Sequence, residues 1–175
     1  MLRVRYLIAA CAVVALSFHP DNVKADDAQI ARGKYLVQLG GCSDCHTPGY
    51  FFGKPNMSRY LSGSDVGFQV PGVGVFVGRN LTPDPETGLG SWTSEQITKA
   101  LRTGVRPDGR VLSPIMPWPA LSNLTPADMD ALVAFLKSLR PVKNKVPGPF
   151  GAKEDPSVFV MTIVAPKAPG KPAAH

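Results

Sequence analysis

A chain of 175 residues suits one domain with additions at its ends, and its formal charge of +6 comes from scattered lysines and arginines. No Lys/Arg run of the kind that tracks nucleic acid is present, so a nucleic-acid partner is excluded, and mild positive charge points weakly to acidic protein partners. Of three cysteines, two stand three residues apart, at Cys42 and Cys45.

Residues 1–25 read as a secretory signal rather than as part of the fold. Arg3 and Arg5 form a basic start, Tyr6 to Phe18 is an apolar run, and Val23-Lys24-Ala25 ends on the small residue a signal peptidase favours. The run is too short for a transmembrane helix, and no other stretch is long enough to be an anchor. Cys11 stands in a context resembling a lipoprotein processing site, but the apolar run continues past it. Removal of the signal lowers the formal charge from +6 to +4. An exported, periplasmic protein is therefore expected.

Residues 27–40 predict a helix closed by Gly40-Gly41, with Ile30, Gly33, Leu36 and Val37 on one face. Residues 47–91 are rich in Gly and Pro. Within them "GFQVPGVGVFVG" has strand-like composition, but Pro71 and the glycines argue against a substantial sheet. A second helix starts after Trp92, with Thr93 as cap, Gln96 completing a capping box, and a Trp92–Ile97 staple. It stops at Gly104, and Pro107-Asp108-Gly109 forms a turn. The segment "SPIMPWP", residues 113–119, holds three prolines and suits neither helix nor central strand. In the last helix Thr125 caps, Pro126 takes the first position, Asp128 is the box residue and Leu124 can staple to Met129. Its stripe of Leu132, Phe135, Leu136 and Leu139 ends at Pro141. The proline-rich tail, residues 141–175, contains "SVFVMTIV", which is either a strand or an apolar strap.

The division expected is thus residues 1–25 as signal, 26–140 as the folded domain and 141–175 as tail. About three good helices with long irregular connections would bury a core most easily around a large apolar group that is not protein. "CSDCH", residues 42–46, supplies the means, because C-x-x-C-H is a signature for covalent haem attachment. On a helical turn Cys42 and Cys45 share a face, where each can form a thioether, while His46 is placed to ligate the iron. The competing uses of such a motif fit less well. Structural zinc needs four ligands, and the mature chain offers two cysteines and two histidines, one of them the terminal His175. A redox dithiol belongs between a strand and a helix, and a simple disulfide leaves His46 without a role.

His19 leaves with the signal, so the second axial ligand points to sulfur. Met129 is explained as a core residue and Met161 belongs to the tail. Met57, eleven residues after His46, is within reach of an extended chain. Met116 has the best context, because Pro114, Pro117 and Pro119 hold its loop extended before any bond forms. Met57 and an open iron site are the alternatives. His/Met ligation fills both axial positions and raises the potential, which suits one-electron transfer rather than chemistry on a bound molecule. Arg79, Asn80 and Trp92 are candidates to bond the haem propionates, and Pro48 or Pro55 could accept from the second nitrogen of His46. Gly33 facing Phe135 would let the first and last helices cross closely.

Residues 28–140 resemble the class I c-type cytochromes. The resemblance rests on "RGKYLV" running into "CSDCH", then "NLTPDPETGLGSWT", "ALRTGVRPDGRVLSPIMPW" and "LTPADMDALVAFLKSL". The second and third strings are similar to haem domains of cytochrome c subunits that serve bacterial membrane-bound alcohol, aldehyde and gluconate dehydrogenases. The resemblance implies an all-α fold enclosing one covalently attached haem c, with Cys42 and Cys45 as thioethers and His46 and Met116 as axial ligands. It implies redox protein partners (a dehydrogenase, oxidase or reductase) and no catalysis by the chain itself. Those subunits usually carry three such haem units and an anchor, whereas this sequence has one motif. The readings that remain are a periplasmic shuttle, a dedicated electron-accepting subunit, and a ligand-binding or peroxidatic haem protein.

Overall fold

The computed structural model describes residues 26–164. The signal reading of residues 1–25, with Cys11 and His19, lies outside them, as does His175. Five helices and four strands are present among the described residues. They are α1 (Asp27–Leu39), α2 (Cys42–His46), β1 (Val66–Val70), β2 (Gly74–Val77), α3 (Ser94–Thr103), α4 (Trp118–Leu121), α5 (Pro126–Ser138), β3 (Phe150–Gly151) and β4 (Phe159–Met161).

The expectation of an all-α fold is overturned. The strands form one mixed sheet in the order β3-β2-β1-β4, with β1 antiparallel to β2 and parallel to β4. Pro71 does not interrupt a strand, because it sits in the turn between β1 and β2, where Gly72 has φ 75° and Val73 N–H donates to Val70 O at 3.0 Å. Gly67 is a packing requirement within β1, since a Cβ there would lie 2.5 Å from Val75 Cγ1. The apolar run of the tail supplies β4, and Phe150–Gly151 supplies β3, so segments far apart in sequence complete the sheet.

The helices follow their end signals closely. Asp26 caps α1 by accepting from Gln29 N–H, and Gly40 terminates it. In α3 the Thr93–Gln96 capping box is complete on both sides, and Gly104 ends the helix at φ 70°. Thr125 caps α5 by accepting from Asp128 N–H. Asp128 does not close a reciprocal box there. Its carboxylate instead accepts from Arg32 Nε at 2.8 Å, joining α5 to α1 and holding the carboxyl below its usual range. α4 departs from the sequence reading. Pro117 precedes it and Pro119 occupies its first turn, where no intrahelical N–H is needed, so one helical turn forms inside the proline-rich segment.

The core joins Val37 of α1, Leu61, Ile97 of α3, and Met129, Leu132, Val133, Phe135 and Leu136 of α5. α1 and α5 cross at Gly33, where a Cβ would lie 1.9 Å from Ala131 O and 2.7 Å from Phe135 Cβ. Gly33→Ala must force the helices apart, and we expect a loss of about 1–3 kcal/mol or more in denaturant unfolding. An unchanged midpoint would show that the crossing has slack.

Candidate functional site

α1 runs into α2 through Gly40 and Gly41, and Gly41 takes φ 61°, which turns the chain so that "CSDCH" forms its own short helix. Cys42, Cys45 and His46 all line one cavity of about 740 Å³. Its walls come from α1, α3 and α5, from Phe68 and Phe76 of the β1–β2 hairpin, and from the 79–92 loop. Met116 stands on the same lining. The structure therefore brings together all four residues singled out from the sequence.

His46 is buried, and its Nδ1 lies 2.6 Å from the carbonyl oxygen of Arg79. An N–H at Nδ1 donating to that carbonyl leaves Nε2 as the free lone pair. Burial pushes the imidazole pKa down, opposed by the bond to Arg79, which favours the neutral ring that binds metal. The acceptor is thus neither Pro48 nor Pro55. Gly78 makes this approach possible, since a Cβ there would lie 1.6 Å from Cys45 O. Downstream, Gly63 N–H donates to His46 O at 2.8 Å and Leu61 N–H donates to the buried Thr47 Oγ1 at 3.0 Å.

No disulfide joins Cys42 and Cys45. Burial pushes the Cys42 thiol up to about 11, and Cys45 is raised by the same cause. A C-x-x-C oxidoreductase works through a thiol of lowered pKa, and burial acts on these two in the opposite direction.

The Met116 loop is a turn rather than an extended segment, with Met116 N–H donating to Ser113 O at 2.9 Å. Its stiffness comes from anchors on α3 as well as from proline. Leu112 N–H donates to Gly104 O at 2.7 Å, and the Trp118 indole packs on Gly104, where a Cβ would lie 2.5 Å from Trp118 Cε2. Arg102 donates to the carbonyls of Ser122 and Leu124 beyond α4. The other described methionines stand away from the cavity: Met129 is in the core, Met57 is 63% exposed, and Met161 is in β4.

Arg79, Arg106 and Arg110 also line the cavity. Burial and mutual repulsion push the pKa of Arg79 and Arg106 down, and Arg106 Nε is buried without a partner. The Arg106 guanidinium lies 5.3 Å from the Trp92 ring centroid, and Asp108 pairs with it at 3.3 Å. Arg106 and Arg110 were missed in the sequence. The turn at Pro107-Asp108-Gly109 was the available signal, because it closes a hairpin in which Arg106 N–H donates to Arg110 O at 3.0 Å. Asn80, a candidate to bond the haem propionates, stands on the cavity lining, but its side chain is bonded to Thr82, Thr87 and Val142.

Two cysteines three residues apart, a buried histidine, a methionine, apolar walls and three arginines suit a covalently held, planar metallo-macrocycle that carries carboxylates. The chain belongs to the cytochrome c family, whose pattern matches residues 30–140. It is 39% identical over 145 residues to the cytochrome c subunit of a quinone-dependent alcohol dehydrogenase from Gluconobacter oxydans (strain 621H), covering 81% of this chain and 28% of that protein. It is similar to the fructose dehydrogenase cytochrome subunit of Gluconobacter japonicus, at 32% identity over 95% of this chain and 33% of that one. The gluconate 2-dehydrogenase cytochrome c subunit of Pantoea cypripedii is 34% identical over 68% of this chain and 25% of its own. The chain thus spans about a third of these relatives or less. The cofactor is haem c, and the donor set, walls and charge of the cavity fit it. No helix among the described residues is long and apolar enough to cross a membrane.

Proposed function

We propose that this chain is a one-electron carrier, with haem c held through Cys42 and Cys45 and its iron ligated by His46 and Met116. The observation that carries the reading is that the attachment motif and Met116 share one cavity, in which Met116 is the one methionine of the lining among the described residues. The haem supplies a ferric/ferrous couple, whose potential a thioether ligand raises. Everything else is done by the chain. α2 presents two thiols and an imidazole from one turn, and Arg79 O fixes the ring tautomer. Apolar side chains of α3 and α5 wall the site, and Arg106 and Arg110 would offer positive charge to the haem carboxylates. The relatives' names support a sugar- or alcohol-oxidising dehydrogenase as electron donor, and this chain as its non-catalytic electron-accepting subunit. The working compartment is the periplasm, which fits the signal read in residues 1–25. The haem-bearing unit is read as residues 26–140, with residues 141–175 as an addition.

Purified holoprotein tests this directly. We expect haem that resists acid–acetone extraction in the wild type and no stable attachment in the Cys42→Ala, Cys45→Ala double variant. The wild type should be low-spin when ferrous and should not bind carbon monoxide at neutral pH. Ready carbon monoxide binding would replace electron transfer with the ligand-binding reading.

A further inference from the structure

The segment after α5 lies against the loop that follows β2, through contacts that repeat at alternate positions. Val142 O accepts from Asn80 Nδ2 at 2.7 Å, and Val142 N–H donates to Thr82 Oγ1 at 3.1 Å. Asn144 N–H donates to Thr87 Oγ1 at 2.9 Å, and Asn144 Nδ2 donates to Ser62 O at 2.7 Å. Val146 is 6% exposed, and its side chain fills the space where Gly63 lacks a Cβ. The carbonyls of Val146 and Gly148 both accept from the Arg79 guanidinium, one from each terminal nitrogen. Gly148 and Pro149 then reach the cavity lining, and β3 and β4 tie the rest of the segment to the sheet.

Arg79 is therefore held from two directions. Its side chain is clamped by residues 146 and 148, and its own carbonyl takes the Nδ1 proton of His46. A planar fork bound to two carbonyls of one segment fixes both position and orientation, which a lysine ammonium cannot do. A bond from the second nitrogen of a ligating histidine sets its ring orientation and basicity. We propose that residues 142–149 form a strap that positions the His46 imidazole through Arg79, making Arg79 a positioning residue for the axial ligand and the tail a determinant of the haem potential. This rests on His46 being an axial ligand.

The direction of the effect separates this role from simple charge. A firm Nδ1–H bond makes the imidazole a better donor and favours ferric iron. Loosening it raises the potential, whereas removing a nearby positive charge lowers it. Arg79→Lys keeps the charge and the stem and loses the fork. In the full-length holoprotein we expect Arg79→Lys to shift the ferrous/ferric equilibrium up to about tenfold toward ferrous, a rise of up to ~59 mV for one electron. The hyperfine-shifted His46 ring protons in the ferric NMR spectrum should move with it. A potential and a ring spectrum identical to wild type in Arg79→Lys would overturn the proposal. So would a downward shift, because the charge is kept in this variant and a loosened Nδ1–H bond can only raise the potential. A chain ending at Pro141 should show the same upward shift, and Arg79→Lys should then add nothing; additive shifts would also overturn it. Should that shorter chain fail to fold, Arg79→Lys decides alone. The ligand reading fails separately: it is lost if wild-type ferric spectra contain no hyperfine-shifted His46 protons.

Discussion

Met116→Ala is expected to abolish the far-red sulfur-to-ferric-iron band of the holoprotein and to lower its potential by on the order of 0.1–0.2 V, within the roughly 0.8 V range that axial ligands span. The iron should also gain an exchangeable site, read as carbon monoxide binding at neutral pH. The expectation follows from the cavity, where Met116 is the only methionine on the lining among the described residues. It also follows from the anchors of its loop. Leu112, Trp118 and the backbone beyond α4 are each tied to the C-terminal end of α3, so truncating the side chain leaves the loop in place. The effect should therefore be on the couple and not on the fold. Met57→Ala is the control, since Met57 lies exposed in a short helical turn away from the cavity. A band that survives Met116→Ala and disappears in Met57→Ala would reverse the ligand assignment.

The second large effect is expected at a residue with no chemistry of its own. A Cβ at Gly78 would lie 1.6 Å from Cys45 O, 2.7 Å from Cys45 C and 3.4 Å from His46 Nδ1. Two of these atoms are backbone, so no rotamer change relieves the overlap, and the end of β2 must move off α2. Gly78→Ala should destabilise the protein by about 3 kcal/mol, the upper part of the usual overpacking range. It should also lower the fraction of chains carrying haem, because the displaced motif includes a thioether cysteine and the histidine. Urea unfolding and the haem-to-protein absorbance ratio measure the two consequences. A fully loaded protein with an unshifted midpoint would mean that the close approach is not required.

Much of the site was legible because its signals are local. "CSDCH" places two thiols and an imidazole on one helical turn through the helix repeat alone, and the end signals at Thr93, Gly104 and Thr125 act within four residues. The Gly33 contact followed from a small residue on an otherwise apolar face. Errors arose where local and distant forces compete. Proline in "GFQVPGVGVFVG" counted against a sheet, yet a hairpin turn accommodates it, and tail residues pair with the hairpin on both edges. Asp128 satisfied the local pattern of a box residue, but the charge of Arg32 on the neighbouring helix took its carboxylate.

The attachment chemistry, the three main helices and the family were readable from the residues, because these depend on residue identity at fixed short spacings. The mixed sheet, the arginines that enter the cavity and the carbonyl that meets His46 emerged with long-range packing. Each of these joins segments tens of residues apart in the chain, and none is encoded at either end alone. His46 meets Arg79, and Arg79 meets Val146 and Gly148, because a cavity of this size must be walled from several directions. Closing such loops is unfavourable until burial and hydrogen bonding offset the lost chain entropy, and that balance is a property of the whole fold.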